Sequence, residues 1–162
     1  MAGEDSDLIE ALVAAWRRER PGTHPEPMRI IGRIIRLGRQ FEDDVVRLLR
    51  PHGLSYSDFD VLATLRRSGE PYQLSPTQLQ KNVLLSSGAM TACLRRLETL
   101  QLITREADPA DRRRLSARLS GSGHGIVEAL IDQRFEVARK SLEQLTTREA
   151  DALEPLLRKL GS

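Results

Sequence analysis

The side chains best suited to chemistry lie between residues 84 and 119, in the stretch LLSSGAMTACLRRLETLQLITREADPADRRRLSARL. Ser87, Thr91 and Arg95 recur every four residues, so on a helix they would share one face, opposite the apolar Met90 and Leu94. Hydroxyl groups donate or accept hydrogen bonds, a guanidinium donates them, and a helix fits the width of the DNA major groove. This spacing therefore points to recognition of base edges.

A second group of polar residues follows in the same stretch. Residues 102–107 and 115–119 have the composition of two short strands, and the Asp-Pro-Ala-Asp between them cannot continue either strand. Arg112 and Arg113 then lie near the tip of a two-stranded hairpin, where arginine side chains suit the narrow minor groove of DNA. A helix followed by such a hairpin predicts a winged helix-turn-helix.

Catalysis requires side chains that converge, and the sequence offers no such group. His24, His52 and His124 fall in a linker and two turns, and the chain contains no HExxH, CxxC or GxSxG motif. The run GSGHG at 121–125 lacks the spacing of a phosphate-binding loop, so we interpret it as a plain turn leading into a helix. We therefore predict no enzyme, no cofactor and no metal site.

Composition favours a helical protein of one domain, residues 1–162. Apolar residues make up 40% of the chain and aromatic residues 4%, which suits helices better than a β-sandwich. The single cysteine, Cys93, excludes an intramolecular disulfide framework. No apolar run is long enough to span a membrane, and acidic residues near the start argue against a secretory signal. We therefore expect a cytoplasmic protein.

Positive charge is concentrated in one part of the chain. Residues 81–118 hold eight lysines and arginines against four carboxylates, although the whole chain has a net charge of only +2. A local excess of this kind is expected at a phosphate-binding face, but a solvated charged surface would look the same. Charge alone leaves these two interpretations open.

Hydrophobic periodicity predicts a helix at each end of the chain around a central DNA-binding part, 55–120. An extra N-terminal helix covers 6–20, a longer helix covers 28–50, and two helices lie within 122–160. Pro155 should kink the last helix or mark an irregular turn. The apolar stripes of the terminal helices are broad enough that we expect them to pack against a second copy of the chain.

Several motifs together resemble the MarR family of bacterial transcription regulators. The family's wing carries Asp-x-x-Asp-Arg-Arg, which appears here as Asp108, Asp111, Arg112 and Arg113. The phrase SSGAMT, followed by Arg-Leu-Glu at 96–98, is most similar to the branch that includes urate-responsive repressors. The resemblance runs from about Leu8 to the C-terminus. It implies a mostly α, winged helix-turn-helix protein with N- and C-terminal dimerisation helices and a two-stranded wing.

The same resemblance implies a function. The chain would be a sequence-specific regulator of transcription, a ligand-responsive repressor that acts as a homodimer on a near-palindromic operator in double-stranded DNA. One of Arg112 and Arg113 would enter the minor groove while Asp111 pairs with the other. From the residues themselves we expect Ser87, Thr91 and Arg95 to contact bases, and a second set to hold phosphate, namely Ser75, Thr77 and Gln78.

An effector site is implied in the same way. In the urate-responsive branch, a tryptophan, an aspartate and two arginines bind the ligand, and Trp16, Asp60 and Arg105 match three of these positions. The fourth position is Cys93, whose thiol cannot supply the charged fork that binds a planar anion. The effector is therefore expected to be anionic and aromatic but not necessarily urate. Trp16 as core, Asp60 as a local cap and Arg105 as a phosphate contact are the alternatives.

Two further expectations concern single residues. Gln101 stands where the family usually has a glycine. The chain is therefore expected to leave the recognition helix, the helix that carries Ser87, Thr91 and Arg95, in a different conformation from that of the family. Cys93 lies on the core side of that helix and is expected to be buried and unreactive. The alternative function for the whole chain is a helical protein-protein interaction module that does not bind DNA. The arginine-tipped hairpin argues against it, because such a hairpin has no role in a helical bundle.

Overall fold

The structure is a computed structural model that describes residues 7–83, 85–107 and 115–161. The chain divides into two compact units, Met1–Asp44 and Val45–Ser162. The predicted wing residues Asp108, Asp111, Arg112 and Arg113 lie outside the described residues. No described helix is both long enough and apolar enough to cross a membrane.

The first unit contains helix α1, Asp7–Glu19, and most of helix α2, Met28–Leu49. Both helices agree with the predicted ranges to within one residue. Glu10 of α1 accepts hydrogen bonds from Arg29 at 2.9 Å and Arg33 at 3.1 Å, both on α2. These guanidinium groups, Arg33 first, lower the pKa of the Glu10 carboxyl. Exposed ion pairs of this kind add little to stability, so they orient the two helices more than they stabilise them.

The described part of the second unit contains five further helices. They are α3, Tyr56–Arg67; α4, Pro76–Asn82; α5, Ser87–Thr99; α6, Gly121–Ser141; and α7, Thr147–Leu160. A 3-10 turn, Arg50–His52, leads from the end of α2 and closes at Gly53, whose positive φ of 66° suits a residue without a Cβ. Capping boxes at Ser55, Ser75 and Thr146 start α3, α4 and α7.

Three antiparallel strands form one small sheet in the order β1-β3-β2. The predicted hairpin is confirmed as β2, Ile103–Ala107, and β3, Leu115–Leu119, with Ile103 opposite Leu119. The third strand, β1, Gln73–Leu74, was not predicted and pairs with the other edge of β3. The Gln73 side chain reinforces the sheet by donating to the Ser116 hydroxyl at 2.8 Å and the Ala107 carbonyl at 3.1 Å.

The core of the second unit lies where α3, α4, α5 and the sheet meet. Its largest fully buried side chains are almost all aliphatic, namely Leu49, Leu62, Leu65, Leu79, Met90, Leu94, Leu97, Ile103 and Leu130. Three of these, Met90, Leu94 and Leu97, come from the predicted apolar face of α5. Helix α5, the predicted recognition helix, is therefore held by one face against the core.

The prediction of a plain turn at residues 121–125 was wrong, because these residues form the first turn and a half of α6. Ser120 caps the helix by accepting a hydrogen bond from the Gly123 amide at 2.9 Å. A Cβ at Gly123 would stand only 2.0 Å from the Leu102 carbonyl oxygen. The glycine is thus required by close approach of α6 to the backbone, a reason that local pattern does not reveal.

The chain leaves α5 through Gln101, which takes the left-handed conformation, φ 58°, that glycine takes elsewhere. The Leu102 amide donates to the Leu97 carbonyl and the Gln101 amide to the Glu98 carbonyl, both at 2.9 Å. These two bonds form a complete Schellman motif. The expectation of a different exit was therefore wrong, and the glutamine carries the backbone strain instead.

An irregular turn at Pro155 is also absent, because α7 continues through this residue to Leu160. Proline removes one backbone donor within a helix and crowds the carbonyl four residues before it, so a kink at Pro155 stays a prediction. The capping box at Thr146 and Glu149 supports the first turn of α7. One missing bond therefore does not end the helix.

Candidate nucleic-acid interface

Helices α4 and α5 form a helix-turn-helix in which local contacts fix the orientation of the second helix. α4 buries Leu79 completely, and Val83, the residue after α4, donates its amide to the Leu79 carbonyl at 2.9 Å. Ser86 then caps α5 by accepting a hydrogen bond from the Ala89 amide at 3.3 Å. The short connection and two fixed ends hold α5 in one orientation relative to α4.

The solvent face of α5 carries all three residues that were predicted to contact bases. Ser87, Thr91 and Arg95 are exposed, while Met90, Leu94 and Leu97 on the opposite face are buried. The Thr91 hydroxyl donates to the Ser87 carbonyl at 3.0 Å, so the Thr91 oxygen can still accept a hydrogen bond. Arg95 has no carboxylate partner among the described residues. This face therefore offers hydroxyls and one unpaired cation to solvent.

The N-terminal end of α4 contains the three predicted phosphate contacts, and two of them already serve the helix itself. The Gln78 amide oxygen accepts hydrogen bonds from the Ser75 amide at 2.8 Å and the Ser75 hydroxyl at 3.0 Å. Thr77, between them, is exposed and makes no side-chain hydrogen bond among the described residues. Thr77 is thus the member of this group whose hydroxyl remains available.

The base of the wing is ordered by paired charges on the two strands. Arg118 of β3 approaches Glu106 of β2 at 3.2 Å, and Thr104 donates to the same carboxylate at 3.2 Å. Arg105 points to Glu98 of α5 with a loose separation of 3.9 Å. The strands therefore fix where the hairpin leaves the core, directly after the recognition helix.

One group of residues next to the recognition helix was not predicted as a site. Asp58, in the first turn of α3, is completely buried, yet it accepts hydrogen bonds from Ser55, Cys93 and Arg96. Arg96 of α5 approaches Asp58 Oδ2 at 2.5 Å and donates to the Ser55 hydroxyl at 2.5 Å. The sequence signal was the capping-box spacing of Ser55 and Asp58, which predicts a local cap and says nothing of a partner 38 residues away.

Cys93 is part of this group and is buried as predicted, with 5% of its surface exposed. Its thiol lies 3.3 Å from Asp58 Oδ1. Burial, together with the hydrogen bond to the Asp58 carboxylate, raises the pKa of Cys93 from its ordinary value of 9.0 to about 12. The charge of Arg96 opposes this shift without cancelling it. The thiolate, which is the reactive form, is therefore strongly disfavoured at neutral pH.

The other predicted effector residues have different surroundings. Asp60 is partly buried, and burial raises the pKa of its carboxyl while the charge of Arg67 opposes the rise. Asp60 lies close enough to Cys93 for its charge to raise the pKa of the thiol. Trp16 belongs to the first unit, where 54% of its surface is exposed. Asp60 and Cys93 are thus brought together, whereas Arg105 pairs with Glu98.

A groove of about 600 Å³ runs between the start of α3 and the recognition helix. It is lined by small, polar and basic residues: Ser55, Ser57, Leu85, Ala89, Ala92, Cys93, Arg95, Arg96 and Thr99. Neither Asp60 nor Arg105 belongs to this lining. Among the residues that the structure describes, no three His, Cys, Asp or Glu side chains gather closely enough to hold a metal ion.

Comparison with known proteins agrees with this geometry. A MarR family model matches residues 52–114. The regulator PecS from Dickeya dadantii is 31% identical over 149 residues, covering 92% of this chain and 90% of its own. MarR from Salmonella typhimurium is 30% identical over 132 residues, covering 80% of this chain and 90% of its own.

A solved structure supports the same assignment at the level of the fold. A MarR variant from E. coli in complex with operator DNA superposes with a TM-score of 0.71 at 25% identity, covering 86% of this chain and 99% of that one. These relatives are transcriptional regulators and not enzymes, and the MarR variant from E. coli binds operator DNA. This chain belongs to the MarR family of DNA-binding transcriptional regulators.

Proposed function

We propose that this chain is a ligand-responsive repressor that binds a near-palindromic operator as a homodimer. The observation that carries the proposal is the exposed row of Ser87, Thr91 and Arg95 on a helix whose opposite face is fully buried. Each copy would be one winged-helix protomer comprising residues 1–162. It would act in the cytoplasm, because that is where a bacterial chromosome is reached.

Dimerisation is supported by apolar residues that a monomer would leave in water. In the first unit, exposed apolar side chains follow both helices: Leu8, Leu12, Trp16, Ile30, Ile31, Ile34, Ile35, Leu37 and Phe41. In the second unit they follow α6, α7 and the turn between them: Phe135, Leu142, Leu145, Leu153, Leu156, Leu157 and Leu160. Monomeric proteins rarely expose so much contiguous apolar surface, so a second copy is the simplest cover.

On DNA, each α5 would lie in the major groove, with Ser87, Thr91 and Arg95 at base edges. Thr77 would contact phosphate, and Ser75 and Gln78 would support it by holding the start of α4 in place. Arg112 or Arg113 would enter the minor groove beside the wing. A two-fold dimer requires half-sites about one helical turn, roughly 10 base pairs, apart.

The effector would be a small, aromatic and anionic molecule that lowers the affinity for DNA. In BpsR from Bordetella bronchiseptica, which shares the fold with a TM-score of 0.74 at 22% identity, 6-hydroxynicotinic acid regulates DNA binding. Trp16, Asp60, Arg105 and Cys93 are the residues proposed to contact it. Because Cys93 is a buried thiol that cannot supply the charged fork of an arginine, urate is disfavoured as the effector.

Selection of duplexes from a random library, followed by sedimentation, tests the proposal. The wild-type chain should enrich an inverted repeat and sediment as a dimer at micromolar concentration. Addition of aromatic carboxylates and purines to the complex should identify at least one compound that releases the duplex. A stable monomer, or a library that yields no common sequence, would contradict the proposal.

A further inference from the structure

We propose that Asp58 and Arg96 are a positioning pair that sets the rotation of α5 on α3, so that the row of Ser87, Thr91 and Arg95 faces DNA. The inference rests on the DNA-binding function proposed above and deepens it. Neither Asp58 nor Arg96 reads a base in this account. Arg96 acts through the orientation of the helix that carries it.

The contacts of Asp58 are unusually complete for a carboxylate in a core. Oδ2 accepts hydrogen bonds from the Ser55 amide and the Ser55 hydroxyl, both at 2.8 Å, and from an Arg96 terminal nitrogen at 2.5 Å. Oδ1 accepts from Arg96 Nε at 3.1 Å and lies 3.3 Å from the Cys93 thiol. A buried charge requires such pairing, because without it desolvation would favour the unfolded chain.

The contact between Asp58 and Arg96 is directional, whereas apolar packing is not. Met90, Leu94 and Leu97 hold α5 against the core, but hydrophobic contact is non-directional and tolerates small rotations of a helix. A guanidinium that engages both carboxylate oxygens is planar and directional. Arg96 thereby links α5 to the capped start of α3 with a defined angle.

Adjacent arginines on α5 consequently have separate tasks. Successive residues on a helix point about 100° apart, because a turn holds 3.6 residues. Arg96 is half-exposed, yet its Nε and one terminal nitrogen are committed to Asp58 and Ser55, whereas Arg95 has no carboxylate partner among the described residues. Arg95 is therefore free of such contacts for binding DNA, whereas Arg96 is held mainly by Asp58 and Ser55.

The chain supplies its own reporter for this contact and a matched control. Cys93 is the single cysteine, and its thiol faces Asp58, so its accessibility reports how closely α5 sits on α3. The control is the ion pair of Arg66 with Glu128, which joins α3 to α6 and does not touch the recognition helix. Breaking it removes a charge contact from the same helix, α3, although this pair is more exposed than Asp58 and Arg96.

The experiment compares Arg96→Gln, Arg96→Lys and Glu128→Gln with wild type, at a temperature where circular dichroism shows each variant fully folded. Labelling of Cys93 by dithiodipyridine, a neutral thiol reagent, is measured first. Affinity for a duplex selected by the wild-type chain, and for a shuffled duplex, is then measured at several salt concentrations.

In Arg96→Gln we expect faster labelling of Cys93 and a loss of about tenfold in the ratio of specific to non-specific affinity, comparable with one lost base contact. The salt dependence should not change, since no phosphate contact is removed. Arg96→Lys, which keeps the charge without the planar fork, should fall between wild type and Arg96→Gln. Glu128→Gln should leave both the labelling rate and the ratio unchanged.

Three results would overturn the inference. A fall in both affinities with a salt slope reduced by about 1 would make Arg96 a phosphate contact. Unchanged labelling and an unchanged ratio would reduce the pair to a simple ion pair. An equal effect in Glu128→Gln would show general loosening of the unit. If the wild-type chain discriminates no duplex, the proposed function fails, while the labelling rates still decide whether Arg96 seats α5.

Discussion

Gln101 adopts a left-handed backbone conformation that is strained for a residue with a Cβ, and this conformation allows the hydrogen bonds at the end of α5 to form. Its φ of 58° costs a residue with a Cβ about 1 to 2 kcal/mol relative to glycine. In return, the Schellman bonds at the end of α5 are complete, and the Gln101 carbonyl accepts hydrogen bonds from the Ser120 and Ser122 hydroxyls, both at 2.7 Å. The strained residue thus joins the end of the recognition helix to the start of α6.

Gln101→Gly should raise the free energy of unfolding by about 0.5 to 1 kcal/mol, because relief of the left-handed conformation exceeds the greater entropy of an unfolded glycine. Denaturant titration of the variant beside wild type measures the change. Gln101→Ala is the control, since it removes the side chain but keeps the Cβ and should give no gain. Loss of stability in Gln101→Gly would mean that the side chain, and not the backbone, matters here.

The Cys93 thiol provides a second prediction for a single residue, and its sign follows from the direction of the shift. Its pKa is raised from 9.0 to about 12, so the unfolded chain loses this proton first as the pH rises. Stability linked to the thiol is therefore present below about pH 9 and is lost progressively toward about pH 12.

Cys93→Ser should flatten that decline in the free energy of unfolding, because it removes the titrating thiol. Denaturant titrations of both proteins from pH 8 upward measure the change.

Peroxide should leave operator binding unchanged in wild type and in Cys93→Ser, because the thiolate needed for oxidation is scarce. Release of DNA by peroxide in wild type, absent in Cys93→Ser, would contradict the account of a buried and inert thiol.

At the scale of elements, α6 begins earlier than its glycine-rich sequence suggests, and its glycines are not equivalent. Gly123 faces the Leu102 carbonyl, where a Cβ would approach to 2.0 Å, whereas a Cβ at Gly125 would meet nothing within 4 Å. An alanine Cβ at residue 123 could fit beside the Leu102 carbonyl only if α6 or the backbone at the start of β2 moved. The two positions therefore form a matched pair.

Gly123→Ala should destabilise the chain by about 2 kcal/mol or more through this clash. Gly125→Ala should stabilise it by about 0.5 to 1 kcal/mol, the ordinary gain for alanine over glycine inside a helix. Thermal denaturation of both variants checks the prediction. Equal effects at the two positions would show that α6 does not approach Leu102 as closely as described.

The wing is predicted to contribute affinity without sequence preference. Changing Arg112 and Arg113 together to alanine should weaken binding to selected and shuffled duplexes alike, because contacts in a narrow minor groove and with phosphate are largely independent of sequence. The slope of affinity against salt should fall as well. Titrations at two salt concentrations that overlay those of wild type would remove the arginines from the interface.

Most elements could be predicted because their signals are local. The capping boxes at Ser55, Ser75 and Thr146 and the alternation of buried and exposed residues on α5 depend on residues a few positions apart. The strand β1 could not, because two residues carry no period and Gln73 pairs with Arg118. Nor could the Asp58–Arg96 contact, which depends on how α3 and α5 pack.

For the whole molecule, the exposed apolar faces of both units are the feature that most needs a partner. Sequence periodicity predicts apolar stripes broad enough to pack against a second copy, and the structure leaves Ile30, Phe135 and Leu160 about 60% exposed or more. Family membership and these faces together support the proposal that two copies of the chain act as one DNA-binding dimer. Symmetry of the protein would then impose symmetry on the operator.

The most direct test of the central claim, that the exposed face of α5 reads DNA sequence, compares Arg95→Ala with Arg148→Ala. Both variants remove one exposed arginine, but Arg148 lies on α7, which carries none of the predicted DNA contacts. Arg95→Ala should cost about 1 to 3 kcal/mol on the selected duplex and far less on a shuffled one, while Arg148→Ala should match wild type on both. Equal losses in the two variants, or an equal loss on both duplexes in Arg95→Ala, would contradict it.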